Sequence, residues 1–148
     1  MKIEEIMSTR VVTVELDDSL SVVKELFDKT GFHHLLVVED DRLCGVISDR
    51  DLLKALSPAL GTIAEKLSDR ENLKKKVHQV MSRKPTCLML GATVVDAVSL
   101  FNANTVTCIP VIDILSRPVG IVSWRDIMKR LILDDCGICI RPLDDGTK

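Results

Sequence analysis

Tyrosine is absent from the chain, and the remaining aromatic residues are three phenylalanines and one tryptophan among 148 residues. Four aromatic side chains are too few for a platform that stacks successive nucleic-acid bases. An excess of one charge is also missing, because 20 Lys and Arg residues oppose 22 Asp and Glu residues and leave a formal net charge of -2. A dedicated nucleic-acid binder shows a basic face, so this balance argues against that class of protein.

Long apolar runs are missing as well. No stretch approaches the roughly 18–20 apolar residues that a membrane-spanning helix needs. The first five residues, MKIEE, lack the cationic and then apolar pattern of a signal peptide. We therefore expect a cytoplasmic protein with no membrane partner. Apolar residues nevertheless make up 46% of the chain, and this aliphatic content excludes intrinsic disorder.

The five cysteines, at positions 44, 87, 108, 136 and 139, are an odd number and do not form a disulfide framework. Cys44, Cys87 and Cys108 lie in apolar stretches, which is typical of small core residues. Cys136 and Cys139 form a single C-x-x-C motif, which is half of a zinc site or a redox pair. No second pair accompanies it, so the sequence favours an ordinary apolar tail, and we predict no metal site.

Signatures of catalysis are also lacking. The chain contains no nucleophile elbow, Walker loop, Rossmann fingerprint or zinc-protease motif. His33 and His34 are adjacent, and neighbouring residues of a strand point to opposite faces, so a two-histidine metal site is not expected. We therefore predict a protein that is not an enzyme, with no catalytic residues and no required cofactor.

An internal repeat organises the sequence. The segment Ile6-Met7-Ser8 recurs 74 residues later as Val80-Met81-Ser82. After one inserted residue the spacing becomes 75, and GVISDRDLLK at 45–54 recurs as GIVSWRDIMK at 120–129. Because the apolar positions align throughout both halves, we interpret the chain as two copies of one unit.

Each copy predicts the same series of elements, taken here from the first. An extended segment over 11–14 precedes a helix over 19–29, which has apolar residues at helical spacing. Apolar runs at 34–38 and 43–47 predict two strands, the first of them buried. A closing helix follows over 49–56. The pattern is therefore β-α-β-β-α, twice, which indicates a mixed α/β (α+β) fold.

These elements divide the chain into four parts. The first repeat is assigned to 1–57 and the second to 77–133, with a closing helix expected over 126–133. Between them, apolar residues at helical spacing predict a helical connector over 58–76, with a solvated face at its charged end. The residues 134–148 are expected to form an irregular tail.

The repeated motifs resemble a known family. A Met-Ser pair before the first strand, the Ile109-Pro110-Val111 strand and the closing Gly-x-x-Ser-x-x-Asp signature are similar to those of the cystathionine β-synthase (CBS) domain. Two such domains in tandem form a Bateman module, and the resemblance extends to about residue 133. The chain departs from the pattern at Leu36, where proline is expected, and at Gly91-Ala92, which replace an acidic helix cap.

The resemblance implies two domains packed with pseudo-twofold symmetry into one module, with two clefts between them. In the family these clefts bind adenosine compounds: AMP, ADP, ATP or S-adenosylmethionine. The closing Asp takes the ribose hydroxyls and the Ser three residues earlier approaches the phosphate. These roles fall on Asp51 and Ser48 in one cleft and on Asp126 and Ser123 in the other.

Further residues are implied as ligand-binding. The main chain at Phe32-His33 and at Val106-Thr107 would hold the adenine. The segments leading into the first strands would close each cleft, and cationic side chains would add positive charge for phosphate. These residues are Ser8, Arg10, Val12, Ser82, Lys84, Thr86, Arg50 and Arg125.

The chemistry of the closing motif favours the same assignment. A carboxylate accepts two hydrogen bonds, as the cis-diol of a ribose requires. The start of a helix offers unpaired N–H groups to an anion. However, Ser-x-x-Asp before an apolar run is also a helix capping box, and Arg50 and Arg125 are equally typical of solvated positions. Capping and ligand binding are compatible.

Two functions remain open from the sequence. The first is a non-catalytic regulatory sensor of an adenosine-containing ligand. The alternative is a ligand-free dimerisation or interaction module that regulates a separate enzyme or transporter. The resemblance implies a homodimer formed through the helices. The residues themselves favour it too, because helices such as the one expected over 126–133 are too apolar to leave exposed. The sequence leaves open the identity of the ligand, the number of occupied clefts and the regulated partner.

Overall fold

A computed structural model describes residues 1–134 and 137–140 of the chain. The first repeat forms the predicted β-α-β-β-α series. Its elements are β1 (Thr13–Glu15), α1 (Leu20–Thr30), β2 (His34–Glu39), β3 (Arg42–Ser48) and α2 (Asp49–Ala55).

Helix α1 begins and ends where the sequence chemistry predicts. The Ser19 side chain accepts a hydrogen bond from the Val22 N–H at the start of the helix. Gly31 follows the last turn with a φ of 67°, the left-handed conformation in which glycine carries no steric cost. Apolar side chains at helical spacing, among them Val23 and Phe27, are buried against the sheet.

The connector is helical only in part. It contains the five-residue helix α3 (Leu67–Glu71) and the single 3-10 turn Asn72–Lys74. The second repeat then begins with the 3-10 turn Val77–Gln79 and the short strand β4 (Ser82–Arg83). The predicted apolar face is exposed, with Leu67 at 81% of its accessible area. Because a helix of this length depends on packing, the unpacked segment does not form the continuous helix that we predicted.

The second repeat has the same series. Its elements are β5 (Leu88–Met89), α4 (Val94–Ala103), β6 (Cys108–Ile112), β7 (Pro118–Ser123) and α5 (Trp124–Met128). No helix within the described residues is long and apolar enough to cross a membrane.

The C-terminal region differs from the prediction. The closing helix does not run to residue 133 but ends at Met128, and the next residues form strand β8 (Leu131–Asp134). This strand pairs antiparallel with β9 (Gly137–Ile140), so part of the expected irregular tail is ordered. The backbone N–H and C=O groups of this segment form hydrogen bonds between the two strands instead of the hydrogen bonds within a helix that we predicted.

The sheets of the two repeats share one topology. In the first, β1 runs parallel to β2, and β2 and β3 are antiparallel, with β4 added at the edge. In the second, β5 is parallel to β6 and β6 is antiparallel to β7. Strand β5 is one residue pair shorter than β1. The Leu36 N–H donates to the Val12 carbonyl, whereas Pro110 at the corresponding position has no N–H to donate.

The inserted residue lies in the turn between β6 and β7. The corresponding turn of the first repeat has two residues with positive φ, Asp40 and Asp41, as expected for a tight hairpin. In the second repeat the Asp113 carboxylate accepts hydrogen bonds from the backbone N–H groups of Leu115 and Arg117 and from the Arg117 side chain. These bonds, led by the one from the Arg117 backbone, hold the pKa of Asp113 below its usual value.

The chain divides into two compact units that exchange their first segments. The α2 unit comprises Val12–Pro85, and the α5 unit comprises Met1–Val11 together with Thr86 and the residues after it. The N-terminal segment therefore packs with the second sequence repeat. Within the α5 unit, Ser8 pairs with Ile121 of β7, just as Ser82 pairs with Val46 of β3 in the α2 unit.

Each unit has its own apolar core. In both, the exchanged segment contributes buried side chains: Val77 and Met81 in the α2 unit, and Ile3 and Ile6 in the α5 unit. The rest of each core comes from the sheet and from the helices beside it. The most deeply buried strand residues are Leu35, Val37 and Ile47 in the α2 unit and Ile109, Val111 and Val122 in the α5 unit.

A methionine packs directly on a strand glycine in each unit. A Cβ atom placed on Gly45 would lie 2.6 Å from the Met81 sulfur and 3.0 Å from the Ser82 carbonyl oxygen. A Cβ on Gly120 would lie 2.5 Å from the Met7 sulfur. Glycine at these positions therefore lets the exchanged segment approach the strand closely.

We expect Gly45→Ala to lower the free energy of unfolding by about 1–3 kcal/mol, because the added methyl group overlaps Met81 and the Ser82 backbone. Urea unfolding of Gly45→Ala, Met81→Ala and the double variant measures the coupling between the two positions. The double variant should lose less stability than the sum of the single variants. Strict additivity would contradict the proposed overlap.

Candidate functional site

The closing motif of the α2 unit forms a reciprocal pair at the start of α2. The Ser48 Oγ accepts a hydrogen bond from the Asp51 N–H at 3.0 Å, and the Asp51 Oδ2 accepts one from the Ser48 N–H at 2.9 Å. Both residues are half-buried. The capping interpretation of Ser-x-x-Asp is thereby confirmed.

The α5 unit repeats this pair. The Asp126 Oδ2 accepts from the Ser123 N–H at 2.8 Å and from the Ser123 hydroxyl at 2.7 Å. Among the described residues, the hydrogen bonds of both aspartates use only Oδ2. Capping therefore does not use up the acceptor capacity of the carboxylate.

A third capping box lies outside the closing motifs. At the start of α4, Thr93 caps the Asp96 N–H, and the Asp96 Oδ2 accepts from the backbone N–H and the hydroxyl of Thr93. These bonds, the backbone one first, hold the pKa of Asp96 below its usual value. The cap of α1 is Ser19 and not the Asp17-Asp18 pair, so Gly91-Ala92 do not replace a capping residue, contrary to our prediction. This box provides a matched reference for the other two.

A histidine and an aspartate side chain are hydrogen-bonded to each other beside Ser48. The His33 Nδ1 lies 2.7 Å from the Asp49 Oδ2, and the His33 carbonyl accepts from the Asp49 N–H at 3.0 Å. Both side chains are reachable by solvent, with 70% of His33 and 44% of Asp49 exposed. His33 is among the residues predicted from the sequence and Asp49 is not, although an acidic residue directly after a capping serine is a signal visible in the sequence.

The adjacent His34 differs from His33 in its surroundings. It is half-buried at the start of β2, and burial lowers its pKa, an effect that the nearby Asp49 only partly opposes. His34 is therefore held towards the neutral form.

The predicted ligand residues that precede the first strands lie in or directly beside the exchanged segments. Ser82 lies beside Val46, two residues before Ser48, and Ser8 lies beside Ile121, two residues before Ser123. Accordingly Ser82, Lys84 and Val12 belong to the α2 unit, with Ser48 and Asp51. Ser8, Arg10 and Thr86 belong to the α5 unit, with Ser123 and Asp126.

The predicted base-holding segments lie before β2 and β6. Phe32 is half-buried, and its N–H donates to the Thr30 hydroxyl at 3.2 Å. In the α5 unit Val106 is half-buried and Thr107 exposed. The two arginines of the closing motifs, Arg50 and Arg125, are both exposed.

Cys44, Cys87 and Cys108 are not activated thiols. Burial raises the pKa of the Cys108 thiol to about 12 and also raises that of Cys44 and Cys87, so all three are neutral thiols near pH 7. Cys136 of the C-x-x-C motif lies outside the described residues. Within the part of the chain that the structure describes, no three His, Cys, Asp or Glu residues come together as metal ligands.

The comparison with known families decides what these paired motifs are. The CBS domain profile matches residues 3–58 and 77–133. The chain belongs to the CBS domain family. The two matched segments coincide with the two β-α-β-β-α series, so the predicted tandem of CBS domains is confirmed.

Proteins similar to this CBS pair include small proteins of the same extent. A CBS domain-containing protein of Dictyostelium discoideum is 33% identical over 132 residues, which cover 88% of this chain and 90% of that protein. The CBS domain pair of protein MJ0100, solved with 5′-methylthioadenosine and S-adenosyl-L-methionine, has a TM-score of 0.70 at 24% identity. That match covers 87% of this chain and 98% of the solved one.

A second solved CBS protein is CBSX2 in complex with AMP. Its TM-score is 0.69 at 22% identity, and the match covers 86% of this chain and 93% of that one. These two structures share the fold of this chain and confirm the mixed α+β architecture of a CBS pair.

We expect Ser48→Ala to lower the free energy of unfolding by about 1 kcal/mol, since the Asp51 N–H then loses its acceptor. Ser48→Thr retains a capping hydroxyl and should remain close to the parent protein. Chemical denaturation of the two variants measures the difference. Equal stability of Ser48→Ala and Ser48→Thr would argue against a contribution of the cap.

Proposed function

We propose that this CBS pair is a non-catalytic regulatory module that binds an adenosine-containing ligand, of the class of AMP, ADP, ATP or S-adenosylmethionine. The observation that carries the proposal is the half-buried Ser-Asp pair, which forms the same reciprocal capping bonds in both units. The known ligands of two CBS structures of the same fold, S-adenosylmethionine with 5′-methylthioadenosine and AMP, support the ligand class.

The proposed ribose contact follows from the carboxylate geometry. The cap fixes Asp51 and Asp126 through Oδ2, which holds each carboxylate in one orientation. The remaining lone pairs of the carboxylate accept hydrogen bonds from the two ribose hydroxyls. A neutral side chain of similar shape would accept these hydrogen bonds less strongly. Because the residues are ordered before the ligand arrives, little side-chain entropy is lost on binding.

The proposed phosphate contacts come from hydroxyl and cationic side chains. Ser48 and Ser123 lie one turn before the ribose-binding carboxylates, and the exposed Arg50 and Arg125 lie directly beside them. The nearly balanced charge of the whole chain means that attraction to phosphate depends on these local cations.

The regulatory role requires that binding change the balance between conformations. A ligand shifts such a balance only by the difference in its affinity for the two states. In this proposal the adenosine compound provides that difference through its own contacts with Asp51 and Asp126, and the altered module acts on another protein. The proposed output is therefore regulation of a partner rather than chemistry on the ligand.

We expect Asp51→Asn and Asp126→Asn each to weaken binding of an adenosine ligand at its own unit by about 10- to 100-fold, because asparagine keeps a capping oxygen but replaces the second acceptor with a donor. Isothermal titration calorimetry with AMP, ATP and S-adenosylmethionine measures the affinities. The matched control is Asp96→Asn, which makes the same change in the capping box of α4.

The ribose contact is tested with a second ligand. AMP that lacks both ribose hydroxyls should bind the parent protein as weakly as AMP binds the Asp51→Asn/Asp126→Asn double variant. Parent-like affinity of that double variant, or the absence of binding by all three ligands, would refute the proposed function.

A second copy of the chain is the partner that we propose for the exposed helices. Helices α2 and α5 each expose an aliphatic side chain at the corresponding position: 73% of Leu53 and 52% of Met128. Apolar residues that are exposed singly on a surface do not usually recur at the same position of two units. Their recurrence here favours an interface. This homodimer is compatible with ligand binding and is also the basis of the ligand-free alternative.

We expect sedimentation velocity at micromolar concentration to give a dimer, and Leu53→Glu to shift it towards monomer, since a buried charge opposes association. Leu67→Glu, at an exposed leucine of α3, is the matched control. A monomeric parent protein would contradict the proposed dimer.

A further inference from the structure

The two closing motifs differ at the residue after the serine. This residue is Asp49 in the α2 unit and Trp124 in the α5 unit, the first position of α2 and of α5 respectively. The residue before the second strand differs as well, being His33 in the first repeat and Thr107 in the second. The two proposed sites therefore share the Ser-Asp pair but differ in the side chains beside it.

In the α5 unit this position exposes an indole ring. Trp124 is 51% exposed, although it is the largest apolar side chain of the chain and lies directly between Ser123 and the Arg125-Asp126 pair. An indole stacks on the face of a purine base, and stacking depends little on the substituents of the base because every base has a π-face.

In the α2 unit the same position offers hydrogen-bonding groups. Asp49 binds the side chain of His33 through Oδ2 and its backbone carbonyl through N–H, so the carboxylate is fixed beside the segment proposed to hold the base. A carboxylate accepts from the exocyclic amine of adenine. It repels the carbonyl oxygen that guanine carries at the same ring position.

We propose that Trp124 stacks on the purine in the α5 unit and makes that site tolerant of different bases, whereas Asp49 makes the α2-unit site selective for adenine. The inference rests on the proposed function, in which both units bind a purine nucleoside compound. It adds that the two sites have different specificities, so that one module responds to adenine compounds at one site and to a wider set of purine nucleotides at the other.

The aromatic composition gives this proposal a direct readout. Trp124 is the only tryptophan and the chain has no tyrosine, so its fluorescence reports on the α5 unit alone. The experiment uses Asp51→Asn, which leaves the α5-unit site intact, and Asp126→Asn, which leaves the α2-unit site intact. Each is titrated with AMP and with GMP, by tryptophan emission and by calorimetry in parallel.

For Asp51→Asn we expect AMP and GMP both to change the emission of Trp124 in a saturable way and with similar affinity. For Asp126→Asn we expect AMP to bind without changing the emission, and GMP to bind about tenfold or more weakly, since the favourable hydrogen bond to Asp49 is lost. Asp49→Asn in that background should reduce the difference in affinity between AMP and GMP.

Replacement of the indole provides the second measurement. In the Asp51→Asn background, Trp124→Leu should weaken AMP binding about 10- to 100-fold, whereas Trp124→Phe keeps an aromatic plane and should retain most of the affinity. Calorimetry measures both, and thermal unfolding verifies that both variants are folded.

Three results would overturn the inference while the proposed function stands. They are AMP binding to Asp51→Asn without any change in emission, equal affinity of Trp124→Leu and Trp124→Phe, and equal affinity of AMP and GMP for Asp126→Asn. An emission that changes on dilution but not with AMP would instead assign Trp124 to contact with a second copy. If no nucleotide gives heat with the parent protein, the proposed function fails, and the inference fails with it.

Discussion

The architecture depends on the close contact between a methionine and a strand glycine in each unit. Met81 packs on Gly45 and Met7 packs on Gly120, and neither strand position has room for a Cβ atom. This contact holds the exchanged segment against the strand that ends in the capping serine. The position of Ser8 and Ser82 beside the closing motifs follows from it, and so does the division of the predicted ligand residues between the two units.

The closing motif combines a structural and a proposed binding role because a carboxylate has more acceptor capacity than a helix cap uses. Asp51 and Asp126 satisfy the cap through Oδ2, while Asp96 forms the same cap without the family signature around it. Helix capping alone thus accounts for a Ser-x-x-Asp sequence. It does not account for the fact that this sequence follows Gly-x-x in both repeats. In our proposal, the neighbouring residues Asp49 and Trp124, which differ between the two copies, recognise the base.

The sequence predicted those parts of the fold that local chemistry decides. Ser19 and Gly31 mark the two ends of α1. Ser48 and Ser123, the last residues of β3 and β7, mark the starts of α2 and α5. These residues are predictable because their side chains or φ angles act within one turn. The exchange of segments was not predictable in this way. Met7 and Met81 are equivalent, as are Gly45 and Gly120, so local pattern cannot decide which methionine packs on which strand. Likewise, the apolar pattern over 126–133 predicts a helix, but Leu131–Asp134 form β8. That strand depends on pairing with β9, whose residues lie outside the pattern.

The exchange of segments also sets an order for synthesis on the ribosome. The α2 unit is one continuous stretch, Val12–Pro85, and every residue of its core has been made before β5 appears. The α5 unit begins with Met1–Val11, yet its sheet is encoded more than seventy residues later, so Ile3 and Ile6 emerge first and find their core last. Domains generally fold in the order in which they are completed. The Met1–Val11 segment thus remains undocked until β7 is made, and the pairing of Ser8 with Ile121 then closes a long loop.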